Sequence, residues 1–298
     1  MAIGGDSCKR FEEVDRHVHD EVEFVDFSPF KNVSLPKPAN LPEPMWGPVA
    51  DLVDGRVIVC GGRPVGNCYI YSMEDNTWRK TVSLDRPREY AVEFVLGDSW
   101  YILGGRDTTT DPFTFLNSTL VYTDGDFRPG PDIPHSAYGA CITPVNYTHF
   151  FFAGGFDGSE YDDAYLLEVD GWKWTKLGSL QIARSFHSCG RSGNQIVVVG
   201  GCNSEVAGTT SEIFSLDSLT WTIGPGVPPA SHGNFCSSGV YQLEDTFYLL
   251  GGGFADYYLD TVFEFDREFF KWQRRKERLA TERENLAIVP IPNSILGV

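Results

Sequence analysis

Short apolar runs that end in two adjacent glycines recur along the whole chain. The six glycine pairs are Gly4-Gly5, Gly61-Gly62, Gly104-Gly105, Gly154-Gly155, Gly200-Gly201 and Gly251-Gly252. Five of them follow a run of β-branched, aromatic or other apolar residues, as at residues 196–199 and 247–250. Successive pairs stand 43 to 57 residues apart. A strand that ends in Gly-Gly and returns with a period of about 50 residues predicts a repeat fold.

One repeat shows the predicted elements in order. Around Gly200-Gly201, strands are predicted at residues 186–189, 196–199 and 212–216, and a fourth strand holds Trp221. Polar turn residues separate the first strand from the second and the third from the fourth. The pattern therefore predicts a four-stranded antiparallel sheet in each repeat.

Pairs of large aromatic residues accompany the glycines. Three such pairs are separated by seven positions: Tyr71 and Trp78, Phe214 and Trp221, and Phe265 and Trp272. We expect them to pack between neighbouring sheets, where large rings bury the most area. Three repeats depart from this pattern. Phe127 follows Tyr122 where a Trp is expected, the first repeat has Phe24 and Phe30 but no Trp, and Val169 stands in place of the aromatic residue before Trp174.

This set of features resembles the kelch repeat, which implies an all-β fold: a six-bladed β-propeller of four-stranded antiparallel blades. The first glycine pair lies so close to Met1 that its blade lacks a first strand. An extra apolar segment at about residues 285–292 is predicted to supply that strand and complete the blade begun at residues 1–35. The chain ends would then close the ring, and residues 1–298 would form a single domain.

Composition excludes several functional classes. Acidic residues outnumber basic ones 41 to 24, for a net charge of −17, so we expect no nucleic acid partner. No apolar stretch has the roughly 18 residues of a membrane helix, and no signal peptide is visible. The common nucleotide, zinc-protease and hydrolase motifs are missing. We therefore predict no cofactor, no metal site, no membrane insertion and a monomeric propeller.

Cysteines and sequons bear on the compartment. Cys60 and Cys68 flank one glycine pair, where adjacent strands could bring them within bonding range. Three sequons make Asn32, Asn117 and Asn146 candidate glycosylation sites. These features favour an oxidising, extracellular setting. The alternative is a cytoplasmic protein with free thiols.

The resemblance also sorts the loops onto two rims. Connections from the second to the third strand, and from the fourth to the next first strand, leave the ring at one rim. Arginines and aromatic residues gather in these connections, and they form our candidate ligand site. The candidates are Arg63, Arg88, Tyr90, Arg106, Tyr138, Phe156, Arg184, Phe186, His187, Asn234, Phe254 and Arg283. Tyr138 is assigned the place that Tyr90 and Phe186 hold in their repeats.

Kelch-like substrate adaptors grip acidic peptides with arginines on this rim, and Arg63, Arg88, Arg106 and Arg184 are the matching positions here. The resemblance thus implies a protein-interaction module that binds an acidic peptide or protein. A structural alternative is that these arginines pair with nearby loop acids such as Asp107. Whether the chain is an enzyme is open, since bacterial sialic-acid mutarotases are similar single propellers that act on an anionic sugar. A third hypothesis, the substrate-recognition part of a ubiquitin-ligase adaptor, requires that the chain is a fragment.

Overall fold

A ring of six β-sheet blades surrounds a central channel in the computed structural model of this chain. The structure describes residues 1–4, 6–8, 16–25, 27, 36–63, 66–136, 138–202, 205–226, 235–254, 257–292 and 295. The predicted six-bladed β-propeller is thereby confirmed. Within these residues, no helix has the length and apolar character needed to cross a membrane.

Blades 2 to 6 each contain four antiparallel strands in chain order, and their first strands line the channel. Blade 2 consists of Trp46–Val53, Arg56–Arg63, Cys68–Ser72 and Thr77–Lys80. Blade 3 consists of Val92–Leu96, Ser99–Leu103, Thr119–Thr123 and Asp126–Gly130. Blade 4 consists of Cys141–Pro144, His149–Ala153, Asp163–Glu168 and Lys173–Ser179. Blade 5 consists of Ser188–Ser192, Gln195–Val199, Ser211–Ser215 and Thr220–Ile223. Blade 6 consists of Gly239–Leu243, Thr246–Leu250, Thr261–Asp266 and Lys271–Arg278.

Blade 1 joins the two ends of the chain. Ala2–Ile3 pairs with Ala287–Ile288 on one side and with Val22–Glu23 on the other. The C-terminal strand is the innermost of the three, so it is the first strand that the N-terminal sequence lacks. Closure by the terminal strands is confirmed, although the paired segment is shorter than the predicted residues 285–292.

The connections at one rim carry additional short elements. Asp6–Cys8 pairs with Arg16–Val18, and Arg106–Asp107 pairs with Thr114–Phe115. A small sheet combines Phe235–Cys236, Gly253–Phe254 and Tyr257–Tyr258, and a short helix covers Glu205–Thr209. All of them lie between second and third strands or between blades, so they build up the rim where the candidate site was placed.

The apolar core is divided among the junctions between blades. Trp100 and Ile102 of blade 3 pack against Val49 and Val53 of blade 2, and the other junctions repeat this arrangement. The chain ends take part in two of the six clusters, because Ala2 and Ile3 face opposite neighbours. The ring therefore depends on every junction being filled, including the one that the termini complete.

The aromatic pairs occupy directly opposed positions on third and fourth strands. Tyr71–Trp78, Phe214–Trp221 and Phe265–Trp272 have ring centroids 5.0, 5.1 and 5.2 Å apart. Each pair belongs to an apolar cluster at a blade junction, as predicted. Tyr122 and Phe127 are opposed in the same way, at 5.1 Å. The prediction for blade 4 is wrong, because Leu167, and not Val169, lies opposite Trp174.

Two disulfides join pairs of strands within the described part of the ring. Cys60–Cys68 joins adjacent strands of blade 2, which confirms the predicted pairing. Cys141–Cys189 was not predicted; it joins the first strands of blades 4 and 5, with Cα atoms 5.9 Å apart. These cysteines are 48 residues apart in sequence, so only the ring geometry brings them together.

Loss of the inter-blade disulfide should destabilise the protein more than loss of the other one. For Cys141→Ala/Cys189→Ala we expect the free energy of unfolding to fall by about 4 kcal/mol, because the bond closes a long loop of the unfolded chain. The matched control, Cys60→Ala/Cys68→Ala, removes a bond between cysteines only 8 residues apart in sequence. It should lower the free energy of unfolding by about 2–3 kcal/mol. Urea unfolding of the oxidised proteins measures both values. Equal losses, or none, would contradict this prediction.

Two of the three candidate glycosylation sites lie on the surface. Asn117 and Asn146 are exposed, and the Asn146 side-chain oxygen accepts hydrogen bonds from the backbone of Thr148 and His149. Asn32 lies outside the described residues. Glycosylation stays a prediction from the sequence.

Candidate functional site

Six equivalent residues, one from each blade junction, form a collar at the mouth of the channel. The collar consists of Gly47, Tyr90, Gly139, Phe186, Ser237 and Asn285, all with φ between +53° and +66°. From Tyr90 onwards, the backbone N–H of each collar residue donates to the carbonyl oxygen of the preceding one, at 2.7–3.2 Å. These bonds tie each blade to the next around the mouth.

The collar corrects one assignment from the sequence. Gly139 donates to Tyr90 and accepts from Phe186, so Gly139 holds the collar position of its blade. Tyr138, which was assigned that place, is one position earlier and forms a bridge with Phe156 instead. The one-residue error arose because no arginine precedes this position to set the alignment.

Two bulky residues occupy collar positions where other blades have glycine. Tyr90 and Phe186 both have φ of +53°, in the left-handed region that large side chains rarely adopt. Such a conformation costs on the order of 1–2 kcal/mol per residue. Gly47 and Gly139 avoid this cost at equivalent positions. Strain that a glycine would remove points to a role for these two aromatic side chains.

The rings at the mouth contact one another in one cluster, here called the mouth cluster. Its members are Trp46, Tyr90, Phe115, Tyr138, Phe156 and Phe186. The centroids of Tyr90, Tyr138 and Phe186 lie 4.8–5.1 Å apart, with each pair close to perpendicular. Tyr90 and Phe186 are partly exposed. A rigid aromatic surface of this kind is typical of protein-binding sites.

Two connected cavities lie beneath the mouth cluster. A cavity of 140 Å³, here called the throat, is lined by the collar residues and by His187, Ser238 and their neighbours. The channel below has a volume of 910 Å³ and is lined by the first strands of all six blades. His187 and Ser238 line both cavities, so the throat opens into the channel.

Three of the predicted ligand-binding arginines are buried instead. Arg88, Arg184 and Arg283 are 0–1% exposed, and each guanidinium donates to the carbonyl oxygen of the first glycine of a pair: Gly104, Gly200 and Gly4, respectively. Their own carbonyl oxygens accept from the second glycine of the preceding blade: Gly62, Gly155 and Gly252. We call these three residues the arginine clips, because each fastens two consecutive blades.

The arginine clips explain why their blades need glycine pairs. A Cβ atom on Gly154 would stand 2.5 Å from the carbonyl oxygen of Arg184, and one on Gly251 would stand 2.4 Å from that of Arg283. The guanidinium of Arg283 also binds the carbonyl oxygen of Glu21 and the carboxylate of Glu23, so it secures the closing blade. The prediction that Arg88, Arg184 and Arg283 contact a ligand is therefore corrected: burial leaves them no surface for it.

Arg106 is the predicted arginine whose described side chain reaches the rim. Its guanidinium lies 2.9 Å from the buried carboxylate of Glu89 and 4.5 Å from the ring centres of Phe113 and Tyr138. Its charge is thus compensated by Glu89. The side chains of Arg63 and Phe254, and all of Asn234, lie outside the described residues.

His187 is buried and uncharged at neutral pH. The side chain is 6% exposed. Desolvation by burial, and to a smaller extent the positive charge of Arg184, lowers its pKa from 6.5 to about 3, and a hydrogen bond with the backbone of Ala153 partly opposes this shift. The described residues contain no group of three or more side chains that could hold a metal ion.

The structure thus brings Tyr90, Tyr138, Phe156, Phe186, His187 and Arg106 to one mouth. Sequence reasoning missed Trp46. Its place at the mouth follows from its neighbour Gly47, which only the structure identifies as a collar residue.

Comparisons with known proteins agree with this architecture. The solved structure titled "Structure of YjhT" matches with a TM-score of 0.70 and 14% identity, over 83% of this chain and 89% of that one. Kelch-like protein 15 of Mus musculus is 23% identical over 74% of the chain and 41% of its own length. Kelch-like protein 40 of Mus musculus is 25% identical over 60% and 28%.

Acyl-CoA-binding domain-containing protein 5 of Arabidopsis thaliana is 24% identical over 53% of the chain and 26% of its own length. The chain thus spans about a quarter to two fifths of these curated relatives. The family described as the KLHDC2/KLHL20/DRC7 Kelch-repeats domain matches residues 119–295, which is more than half of the chain. Together with the glycine pairs, the opposed aromatic residues and the six closed blades, this match shows that the chain belongs to that kelch-repeat family.

Proposed function

We propose that the channel mouth binds a segment of another protein and that the mouth cluster provides the main contact. Kelch propellers are in general protein–protein interaction modules. The observation that supports this site is the left-handed backbone of Tyr90 and Phe186, because two aromatic rings are held there at a conformational cost. Residues of this type are the usual anchors of protein interfaces.

The expected preference for an acidic partner does not enter this proposal. Two of the four arginines on which that expectation depended, Arg88 and Arg184, are buried, and Arg106 is paired with Glu89. The hypothesis of an enzyme acting on an anionic sugar depended on the same arginines and on the tyrosines of the mouth, and no observation favours it over protein binding. The ubiquitin-ligase hypothesis concerns domains outside this chain.

Phe186→Gly tests the proposed site with a matched control. We expect peptides selected from a display library on the full chain to bind this variant at least 30-fold more weakly, because a central aromatic anchor contributes about 2 kcal/mol or more. Glycine suits the backbone, since φ at this position is +53°. Phe270→Gly is the control: Phe270 has φ of +50°, is 46% exposed and lies in a hairpin of the opposite rim.

Fluorescence anisotropy measures the dissociation constants, and urea unfolding verifies that both variants are folded. The control should change affinity less than twofold. Peptides that bind Phe186→Gly as tightly as the unmodified protein, or that lose affinity for Phe270→Gly instead, would contradict the proposed site. So would a library that yields no binding peptide.

A further inference from the structure

The outer strand of blade 6, Lys271–Arg278, concentrates positive charge on the outside of the ring. Every exposed residue of this strand is basic, and these residues are here called the basic edge: Lys271, Arg274, Lys276 and Arg278. The whole chain has 41 acidic and only 24 basic residues. The basic edge is therefore a local reversal of the protein's charge.

The backbone of this strand is paired on one side. Its ladder partner is Thr261–Asp266, and among the described residues no other backbone group bonds to residues 271–278. In an antiparallel ladder about half of the N–H and C=O groups of a strand point toward each neighbour, so the outer side keeps a row of them for another strand. With 8 residues this strand is also longer than the outer strands of blades 2 to 5, which have 4 to 7 residues.

Three members of the basic edge recur at every second position. Arg274, Lys276 and Arg278 are exposed, and the residues between them, Arg275 and Glu277, are half-buried. Alternate residues of a strand project from one face and stand about 7 Å apart, which is within one Debye length, so these cations repel one another. A partner that brings negative charge at the same spacing removes this repulsion.

Acidic residues of the same blade compensate part of this charge. Arg278 pairs with Asp260 at 2.7 Å. Glu277 lies 3.9 Å from Lys276 and 3.2 Å from Arg275, so one carboxylate serves two cations. The basic edge thus keeps unneutralised charge at Lys276.

Two other members of the basic edge are compensated even less. The ammonium of Lys271 lies 4.9 Å from the ring centre of Phe269, a contact that leaves its charge in place. Arg274 has no ion pair within the described part of the chain. Both charges therefore remain available to an acidic partner.

Protection against aggregation does not account for the basic edge. Charged side chains on an outer strand do deter edge-to-edge association. However, the outer strand of the neighbouring blade 5, Thr220–Ile223, has no charged residue, and its Ile223 is 53% exposed. The fold thus does not depend on cations at its outer strands, and the basic edge is more consistent with binding.

We propose that the basic edge binds an extended, acidic segment of a partner protein, which adds to blade 6 as a fifth strand. The free backbone groups of the edge supply hydrogen bonds, and acidic side chains at alternate positions of the segment pair with Arg274, Lys276 and Arg278. An anionic membrane fits less well, because a protein of net charge −17 is repelled by it and lipid head groups form no strand ladder. This site is separate from the channel mouth and goes beyond the proposed function.

Fluorescence anisotropy with a labelled peptide that alternates glutamate and threonine tests the location of the site. We expect a dissociation constant on the order of 100 μM at low salt, and Arg274→Glu/Lys276→Glu should weaken binding at least tenfold. The matched control is Arg79→Glu/Lys80→Glu on the outer strand of blade 2, where both residues are exposed. It changes the net charge of the protein equally and should change affinity less than twofold. Equal losses in the two variants, or no binding to the unmodified chain, would overturn the inference.

N-methylation of the peptide backbone tests strand addition. One peptide is methylated at its odd-numbered amides and a second at its even-numbered amides, so each loses the N–H donors of one edge. Only one edge of the peptide faces blade 6, so we expect one of the two to bind at least tenfold more weakly and the other to keep its affinity within about threefold. Equal binding of both peptides would show a purely electrostatic contact and refute the fifth strand.

Two further measurements separate this site from a membrane surface and from the mouth. Vesicles that contain phosphatidylserine should not sediment with the chain. Vesicle binding that Arg274→Glu/Lys276→Glu abolishes, without peptide binding, would overturn the inference. Phe186→Gly should bind the acidic peptide as tightly as the unmodified protein does. A large loss there would locate the acidic peptide at the mouth, which would support the proposed function and refute the basic edge.

Discussion

Arg184→Met is expected to lower the free energy of unfolding by about 3–5 kcal/mol. The Arg184 side chain is fully buried, as is its ion-pair partner Glu212. Its guanidinium also donates to the carbonyl oxygens of Gly200, Ala207 and Thr210, at 2.7, 2.8 and 3.2 Å. Methionine fills much of the volume but leaves a buried carboxylate without its cation and three carbonyl oxygens without this donor.

Urea unfolding of two further variants identifies the cause of this loss. Arg184→Lys keeps the charge but lacks the planar donor set, so we expect it to lose roughly half as much. Arg79→Met is the surface control, since the Arg79 side chain is 73% exposed and pairs with Asp75 in water; it should change stability by less than about 0.5 kcal/mol. If Arg184→Met is no more destabilising than Arg79→Met, the arginine clips do not hold the blades together.

Removal of residues 285–298 should abolish cooperative folding. The truncation deletes the strand Ala287–Ile288, which pairs with Ala2–Ile3. It also removes Leu286, Ala287 and Val289 from the apolar clusters on both sides of blade 1, and Asn285 from the collar. We expect a loss of more than about 5 kcal/mol, which is comparable to the whole stability of many domains.

Circular dichroism during thermal unfolding measures this effect, and two controls accompany it. Removal of residues 293–298 alone keeps every paired residue of the terminal strand and should leave the melting temperature within a few degrees. A synthetic peptide of residues 285–298, added to the truncated chain, should restore part of the cooperative transition. A truncated chain that melts cooperatively at the original temperature would show that the ring does not need its C-terminal strand.

Much of the fold follows from local sequence signals. Gly-Gly after an apolar run, a turn, and an aromatic residue opposite a tryptophan are short-range features, and each strand pairs with its sequence neighbour. Closure also follows from counting strands, because the N-terminal blade lacks one and the C-terminal segment supplies it. The error at Val169 was avoidable from the sequence: the seven-residue spacing of the other pairs, counted back from Trp174, selects Leu167, which lies opposite the indole.

The functional site was predicted less completely. Sequence position placed Tyr90, Phe186 and His187 on the correct rim, because propeller connectivity alone assigns loops to rims. It could not show the side-chain environment of Arg88, Arg184 and Arg283. An arginine in a loop is normally exposed. Here the glycine ends of neighbouring strands supply enough carbonyl oxygens to hold each guanidinium inside the ring.

The sequence by itself determined the six blades, the closure of the ring and the rim on which the aromatic residues lie, because periodic apolar strands and glycine pairs act over short distances. The tertiary structure decided which residues hold the blades together and which line the channel mouth. It buried three arginines, joined Cys141 to Cys189, and aligned the collar so that His187 and Asn285 meet in one cavity. These contacts join residues from different blades, and which side chains meet there depends on how consecutive blades are aligned in space, which no local pattern encodes.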